Sequence, residues 1–290
     1  HDFDQDLLIL FDAYVHGGID RRTFLDRAKK YAVGGVTAAM LLDQLSPKFA
    51  GAQEVKPDDG RIQQEYLEYA SPNGSGTMRG YFARPSRAGE RAPGILVIHE
   101  NRGLNPHIED ITRRLALDGF VAFAPDALFP LGGYPGDEDK ARDLFGKLDQ
   151  AKTREDFVSA AHFLAKRPEC TGKLGAVGFC YGGGMVNYLA TRLGGELAAG
   201  VAFYGSAPDL ADVAKIRAPL LIQSAETDPR INASWPDFES ALKAANVSYE
   251  RHLYAGTQHG FNNNTTPRYD AAASKLAWDR TIAFFKSHVR

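Results

Sequence analysis

The chain has 290 residues, 44% of them hydrophobic, enough to bury one large core or one core with an appendage. Its formal net charge of -2 gives no bulk electrostatic reason to expect nucleic acid or an anionic membrane surface as a partner. No apolar run approaches the roughly 20 residues of a membrane-spanning helix, and two cysteines, Cys170 and Cys180, do not make a disulfide framework.

Residues 1–53 read differently from the rest. Helical character extends over 7–15 and 21–45. The run Asp20-Arg21-Arg22-Thr23-Phe24-Leu25, a modest apolar stretch over 32–42 and then Ala50-Gly51-Ala52 resemble a twin-arginine export signal with its cleavage site. The acidic segment ahead of the arginines, and Asp26 and Asp43, speak against that reading. The alternative is a helical extension that packs on the body or joins copies of the chain into a homo-oligomer. Localisation follows the same choice: cytoplasmic if the segment is retained, periplasmic if it acts as a signal. The expected division is 1–53 as N-terminal helical extension and 54–290 as the main domain.

From Gln53 the pattern changes. Residues 62–70 and 78–84 read as antiparallel strands joined by the turn Ser71-Pro72-Asn73-Gly74-Ser75-Gly76. A continuous apolar strand over 94–98 precedes an amphipathic helix over 108–117. Then come a strand at 120–124, a helix at 157–165, a strand at 173–179 and a helix at 185–191. Strands at 198–204, 219–224 and 249–254 follow, and a helix over 271–288 closes the chain. Short apolar strands alternating with helices predict an α/β fold with a mostly parallel sheet covered on both faces. Ligands on such sheets sit at the carboxyl ends of the strands.

One turn carries chemistry. Gly178-Phe179-Cys180-Tyr181-Gly182 is a G-x-nucleophile-x-G elbow with cysteine at the reactive position, between a buried strand and a helix. A sharp turn there forces a strained backbone and needs small neighbours. It places the Cys180 sulfur at a helix N-terminus, where unpaired N–H groups and the helix dipole favour a thiolate. The Tyr181 N–H falls where half of an oxyanion hole is needed. The competing reading is a glycine-rich turn with a buried, inert cysteine.

An elbow needs a base and an acid to orient it, in chain order nucleophile, acid, histidine. The strand at 219–224 runs on to Glu226 and Asp228, and the next strand runs into Gln258-His259-Gly260-Phe261. Cys180, Asp228 and His259 thus follow successive strand ends. Glu226 competes with Asp228, because either carboxylate is in reach; the Asp228-Pro229 step favours a turn at Asp228. The other histidines read as a strand-face residue (His252), local structure (His99) or helix-surface groups (His107, His162, His288). No metal site is expected: His99-Glu100 and His107 with Asp110 lack the paired helical histidines of a zinc protease.

Several segments together resemble the dienelactone hydrolase family of α/β-hydrolases. They are His99-Glu100-Asn101-Arg102-Gly103-Leu104, Ala124-Pro125-Asp126, Gly178-Phe179-Cys180-Tyr181-Gly182-Gly183, Asp228 and His259-Gly260-Phe261, in family order over residues 60–290. The resemblance implies an α/β-hydrolase fold, a Cys180–His259–Asp228 triad, and Glu100 as the carboxylate that accepts the thiol proton. It places the Asn101 N–H beside that of Tyr181 in the oxyanion hole, and it implies no cofactor. Family members that act on anionic lactones present an arginine shortly after the histidine. Here Gly260-Phe261-Asn262-Asn263-Asn264 has none before Arg268. Arg102 or Arg142 are candidates to replace it, and Tyr134 and Phe261 are candidates for an apolar wall. The expected reaction is hydrolysis of a lactone or small ester through an acyl-enzyme. The alternatives are a broader carboxylesterase or thioesterase, and a non-catalytic interaction protein on a hydrolase scaffold.

Overall fold

A computed structural model describes residues 3–87 and 89–290. Three helices come first: α1 (Gln5–Val15), α2 (Arg21–Ala28) and α3 (Ala38–Leu45). Asp4, Asp20 and Thr37 cap their N-termini through side-chain oxygens. The helical run expected over 21–45 is interrupted because Gly34 and Gly35 adopt left-handed backbone conformations, with φ of 64° and 86°. The three helices share a small apolar cluster of their own, centred on Phe11, Tyr14, Phe24 and Leu45.

The remaining elements alternate. They are β1 (Ile62–Ser71), β2 (Gly76–Pro85), β3 (Ala92–Ile98), α4 (Pro106–Leu117), β4 (Val121–Pro125), α5 (Glu138–Phe145), α6 (Gln150–Ala165), β5 (Cys170–Phe179) and α7 (Tyr181–Leu193). Then follow β6 (Ala199–Phe203), β7 (Leu220–Thr227), α8 (Pro229–Asn232), α9 (Trp235–Ala244), β8 (Tyr249–Gln258) and α10 (Ala271–His288). The strands form one sheet in the order β1-β2-β4-β3-β5-β6-β7-β8. β1, β2 and β4 pair antiparallel, and every pair from β4–β3 to β7–β8 is parallel. The α/β fold expected from the alternation is the one observed.

The central strands are apolar along their whole length because helices cover both faces. Ile95, Leu96, Val97 and Ile98 of β3 all have zero exposure. Odd-numbered β3 residues pack with Ile108, Ile111 and Leu115 of α4 and Phe285 of α10. Leu96 and Ile98 pack instead with Phe157 and Leu164 of α6 and Val186 and Leu189 of α7. Parallel register then brings the carboxyl ends of β3, β5, β7 and β8 to one edge: Ile98 pairs with Gly178, and Thr227 with Gln258. Among the described residues no helix is long and apolar enough to cross a membrane.

Candidate active site

The elbow begins where β5 ends. Cys180 has φ 57° and ψ -116°, a conformation that L-residues avoid and that costs about 1–3 kcal/mol. The fold holds it there by close backbone contact. A Cβ on Gly178 would stand 2.0 Å from the Gly182 carbonyl oxygen, and one on Gly182 would stand 2.1 Å from that of Ile98. Only glycine permits α7 to start this close to β3 and β5. The Cys180 N–H donates to the Phe203 carbonyl at 3.0 Å, which ties the turn to β6. The sulfur sits half-buried at the first turn of α7.

Asp228 and His259 arrive from the ends of β7 and β8. Both are buried, at 3% and 4% exposure, and His259 Nδ1 lies 2.6 Å from Asp228 Oδ2. Because Nδ1 faces a carboxylate it carries the proton, and Nε2 is turned toward Cys180. Among the described residues His259 Nε2 is buried with no hydrogen-bond partner, and it lies within 4.8 Å of the sulfur. The Tyr204 ring packs on the imidazole at 4.9 Å between centroids. Glu226, the competing acid, is exposed and accepts instead from the Gly256 N–H at 2.7 Å.

Burial alone would raise the Cys180 pKa; the positive charges of His259 and His16, with a hydrogen bond from His16, outweigh it and hold the thiol well below its ordinary 9.0. Burial works against the charged form of His259 as well, yet the thiolate and Asp228 lift it to about 10. Burial, and then the Cys180 charge, raise Glu100 to about 7, with Arg268 and His259 pulling the other way. The Glu100 carboxylate accepts from Asn263 Nδ2 at 3.1 Å. His99 is structural: its Nδ1 donates to the Glu100 carbonyl at 2.6 Å and its Nε2 accepts from the Ala127 N–H at 3.0 Å. Asp126 organises the neighbouring loops by accepting from the N–H groups of Leu104 and Leu128.

The site is filled from an unexpected direction. The C-terminus of α1 enters it, and His16 Nε2 stands 3.3 Å from Cys180 Sγ. The imidazoles of His16 and His259 meet edge to face, 4.6 Å between centroids. The arginines that surround the site hold this segment. Arg102 Nη2 donates to the Val15 carbonyl at 3.1 Å, as does Asn101 Nδ2 at 2.9 Å. Arg142 Nη1 donates to the Tyr14 carbonyl at 2.8 Å and its guanidinium lies over the Tyr14 ring. Arg268 Nη1 pairs with Asp12 Oδ1 at 2.8 Å. Beside Cys180 a cavity of about 50 Å3 remains, bordered by Phe11, Tyr14, His16, Glu100, Arg268 and His259 among others.

Two of the expected wall residues lie elsewhere. Phe261 has zero exposure and packs on Phe203, Tyr204 and Tyr254 in the core, so it supports the site from behind. Tyr134 does not border the cavity; its hydroxyl donates to Glu138 at 2.7 Å, and Glu138 lies 3.8 Å from Arg102. Arg142 reaches α1 without bordering the cavity either. Arg268, passed over because it lies beyond the asparagine run, does border it. Its place in the loop directly after His259 was the available signal. For His16 the sequence offered only a lone histidine at a glycine-terminated helix end.

Comparison with known proteins agrees with this architecture. The family described as "Dienelactone hydrolase family" matches residues 78–289, and a second, described as "YqhI-like", matches residues 1–33. "Protein usf" of Aquifex pyrophilus is 35% identical over 227 residues, 73% of this chain and 94% of that protein. An Escherichia coli (strain K12) protein named "Putative carboxymethylenebutenolidase" is 31% identical over 232 residues, 75% and 85% of the two chains. A crystal structure described as "Putative Dienelactone Hydrolase" from Klebsiella pneumoniae superposes with a TM-score of 0.69 at 28% identity, over 78% of this chain and all of that one.

Proposed function

Since the chain belongs to the dienelactone hydrolase family, we propose that it hydrolyses a lactone or small carboxylic ester, in a reaction of the carboxymethylenebutenolidase type, with Cys180 as nucleophile. The observation that carries this reading is the convergence of a strained elbow cysteine, a buried histidine and a buried aspartate on one sheet edge. The Cys180 thiolate attacks the carbonyl carbon. The Tyr181 N–H, at the first position of α7 and so without an intrahelical acceptor, holds the oxyanion with the Asn101 N–H. The carbon–oxygen bond breaks, and His259 Nε2 gives its proton to the leaving alkoxide. Water then adds to the thioester carbonyl, His259 takes its proton, and the thiolate departs with the acid released. Asp228 keeps the imidazole in the working tautomer. Glu100, held near neutrality by burial and by the Cys180 charge, is the carboxylate beside the sulfur that takes up a proton released when the thiol ionises.

Arg102 and Arg268 border the cavity together with Glu100, Glu138 and Asp139; the two guanidinium groups, released from Val15 and Asp12 when the N-terminal segment withdraws, would favour an anionic substrate over a long neutral acyl chain. A cavity of about 50 Å3 admits little more than water, whereas small-ligand sites run to about 300–1,000 Å3. Substrate entry therefore requires Tyr14 to His16 to withdraw. This supports reading residues 1–53 as a cap on a hydrolase domain at 54–290.

The test is hydrolysis of nitrophenyl esters and small lactones by the wild type, Cys180→Ser and His259→Ala, with chelator present. Each substitution is expected to lower kcat/KM by about a thousandfold or more. Wild-type rates in both variants would sink the reading.

A further inference from the structure

His16, Cys180 and His259 make an arrangement that the hydrolytic reading does not use. All three ligand-type atoms, two Nε2 and one Sγ, lie within 4.8 Å of one another, with His16 Nε2 and Cys180 Sγ at 3.3 Å. Both imidazoles are oriented from behind in the same way. His16 Nδ1 faces the Asp12 carbonyl at 2.8 Å and the Asp12 carboxylate at 3.2 Å. His259 Nδ1 faces the Asp228 carboxylate at 2.6 Å. Each Nδ1 meets only acceptors and so carries a proton, which leaves Nε2 as the atom that faces the sulfur, through its own proton in the thiolate–imidazolium arrangement and through a lone pair once that proton has left. Two imidazole Nε2 atoms and the sulfur then face one point, and His259 Nε2, buried and with no hydrogen-bond partner among the described residues, is aimed into it.

A metal cation at the centre would take the place of the protons that lie between these three atoms. Zinc takes imidazole nitrogen at about 2.0–2.1 Å and thiolate sulfur at about 2.3 Å in a tetrahedral set, which separates neighbouring ligand atoms by about 3.5 Å. Histidine ligands to such ions regularly donate their second N–H to a carboxylate or carbonyl, the pattern both imidazoles show. Imidazole and thiolate are also the donors that suit zinc and its close analogues rather than magnesium or calcium.

We propose that His16, Cys180 and His259 form a three-ligand site for zinc or a similar soft divalent cation, completed only when the N-terminal helices are docked. Binding forms two metal–nitrogen bonds and one metal–sulfur bond; the protons on the thiol and on either Nε2 leave to solvent, and the fourth position is open to water. The bound ion ties the N-terminal segment to the elbow. That it also holds hydrolysis off rests on the reading of Cys180 and His259 given above; the binding itself does not. His16 stands 164 positions from Cys180, which is why no ligand spacing in the sequence announces the site.

The experiment is a cobalt titration of the 290-residue chain, following the thiolate-to-cobalt charge-transfer band, with zinc added as competitor. Wild type is expected to bind one ion per chain, with the band abolished in Cys180→Ala. His16→Ala should weaken binding by about a hundredfold or more, and Asp12→Asn by about 10–100-fold. His162→Ala removes a surface histidine paired with Glu196 and should bind as wild type does, which separates the site from adventitious surface histidines. Hydrogen exchange over residues 5–15 reports whether His16→Ala still folds and docks. Failure of the wild type to bind, absence of the band, or undiminished affinity in His16→Ala would overturn the proposal. The titration needs no substrate, so an inactive protein that binds cobalt and an active one that does not are told apart.

Discussion

Phe24 is the residue through which the N-terminal helices can be loosened without touching the site. Its side chain has zero exposure, and its ring centroid lies 5.3 Å from that of Tyr14 and 6.1 Å from that of Phe11. Those two residues border the cavity beside Cys180. Phe24→Ala should cost the helical cluster about 3–5 kcal/mol, the usual range for a buried phenylalanine. If docking depends on that cluster, about 3 kcal/mol multiplies the population of the undocked state roughly 150-fold. His259 belongs to the sheet edge and not to the helices, so its charge continues to lower the Cys180 thiol pKa when the segment withdraws, and the exposed thiol should alkylate readily. Iodoacetamide labelling, followed by intact mass and peptide mapping in the presence of chelator, should therefore quicken about a hundredfold, up to the rate of the uncovered thiolate. Cys170, with zero exposure in β5, serves as the internal control and should stay unlabelled. An unchanged rate at Cys180, with the helical cluster shown by hydrogen exchange to be loosened, would refute the idea that this segment covers the nucleophile.

Arg268→Gln should lower kcat/KM for a carboxylate-bearing ester about 10–100-fold relative to its neutral isostere, the loss of one charge-assisted hydrogen bond; an unchanged ratio would remove Arg268 from substrate recognition. His107 gives a pH prediction. Burial first, and then the charge of Arg114, depress its pKa to about 3, and neither ring nitrogen has a hydrogen-bond partner among the described residues. The unfolded chain binds that proton below about pH 6.5 and the native state does not, so the contribution is complete above that pH and is lost as pH falls toward 3, at about 1.4 kcal/mol per unit. In urea unfolding between pH 7 and 5, His107→Leu should show a shallower loss than wild type; equal slopes would contradict the buried neutral imidazole.

How far the sequence reads through depends on where each signal resides. The strand at residues 94–98 was plain because burial on both faces demands an unbroken apolar run. α5 and α9 were missed because they bury so little: Ala141 alone in α5, and Phe238 and Leu242 in α9. The convergence of Cys180, Asp228 and His259 was legible because parallel strands deliver their carboxyl ends to one edge, so chain order alone brings the three together. His16 and Arg268 were not legible. Their positions depend on how a separate helical cluster docks, and neither hydrophobic period nor motif spacing records contacts between a helix end and a site on another part of the chain. Phe261 was misplaced for a related reason, since an aromatic beside a catalytic-type histidine can face the cavity or the core, and here Tyr204 and Tyr254 enclose it.

The central claim is that Cys180 attacks the substrate carbonyl. Rapid acid quench of the enzyme with an activated ester, followed by digestion and mass spectrometry, reads this directly. An acyl adduct is expected on the peptide bearing Cys180, formed within the first turnover, lost on further incubation, and absent in Cys180→Ala together with the hydrolysis. Ester hydrolysis that proceeds with no adduct on Cys180 and persists in Cys180→Ala would contradict it.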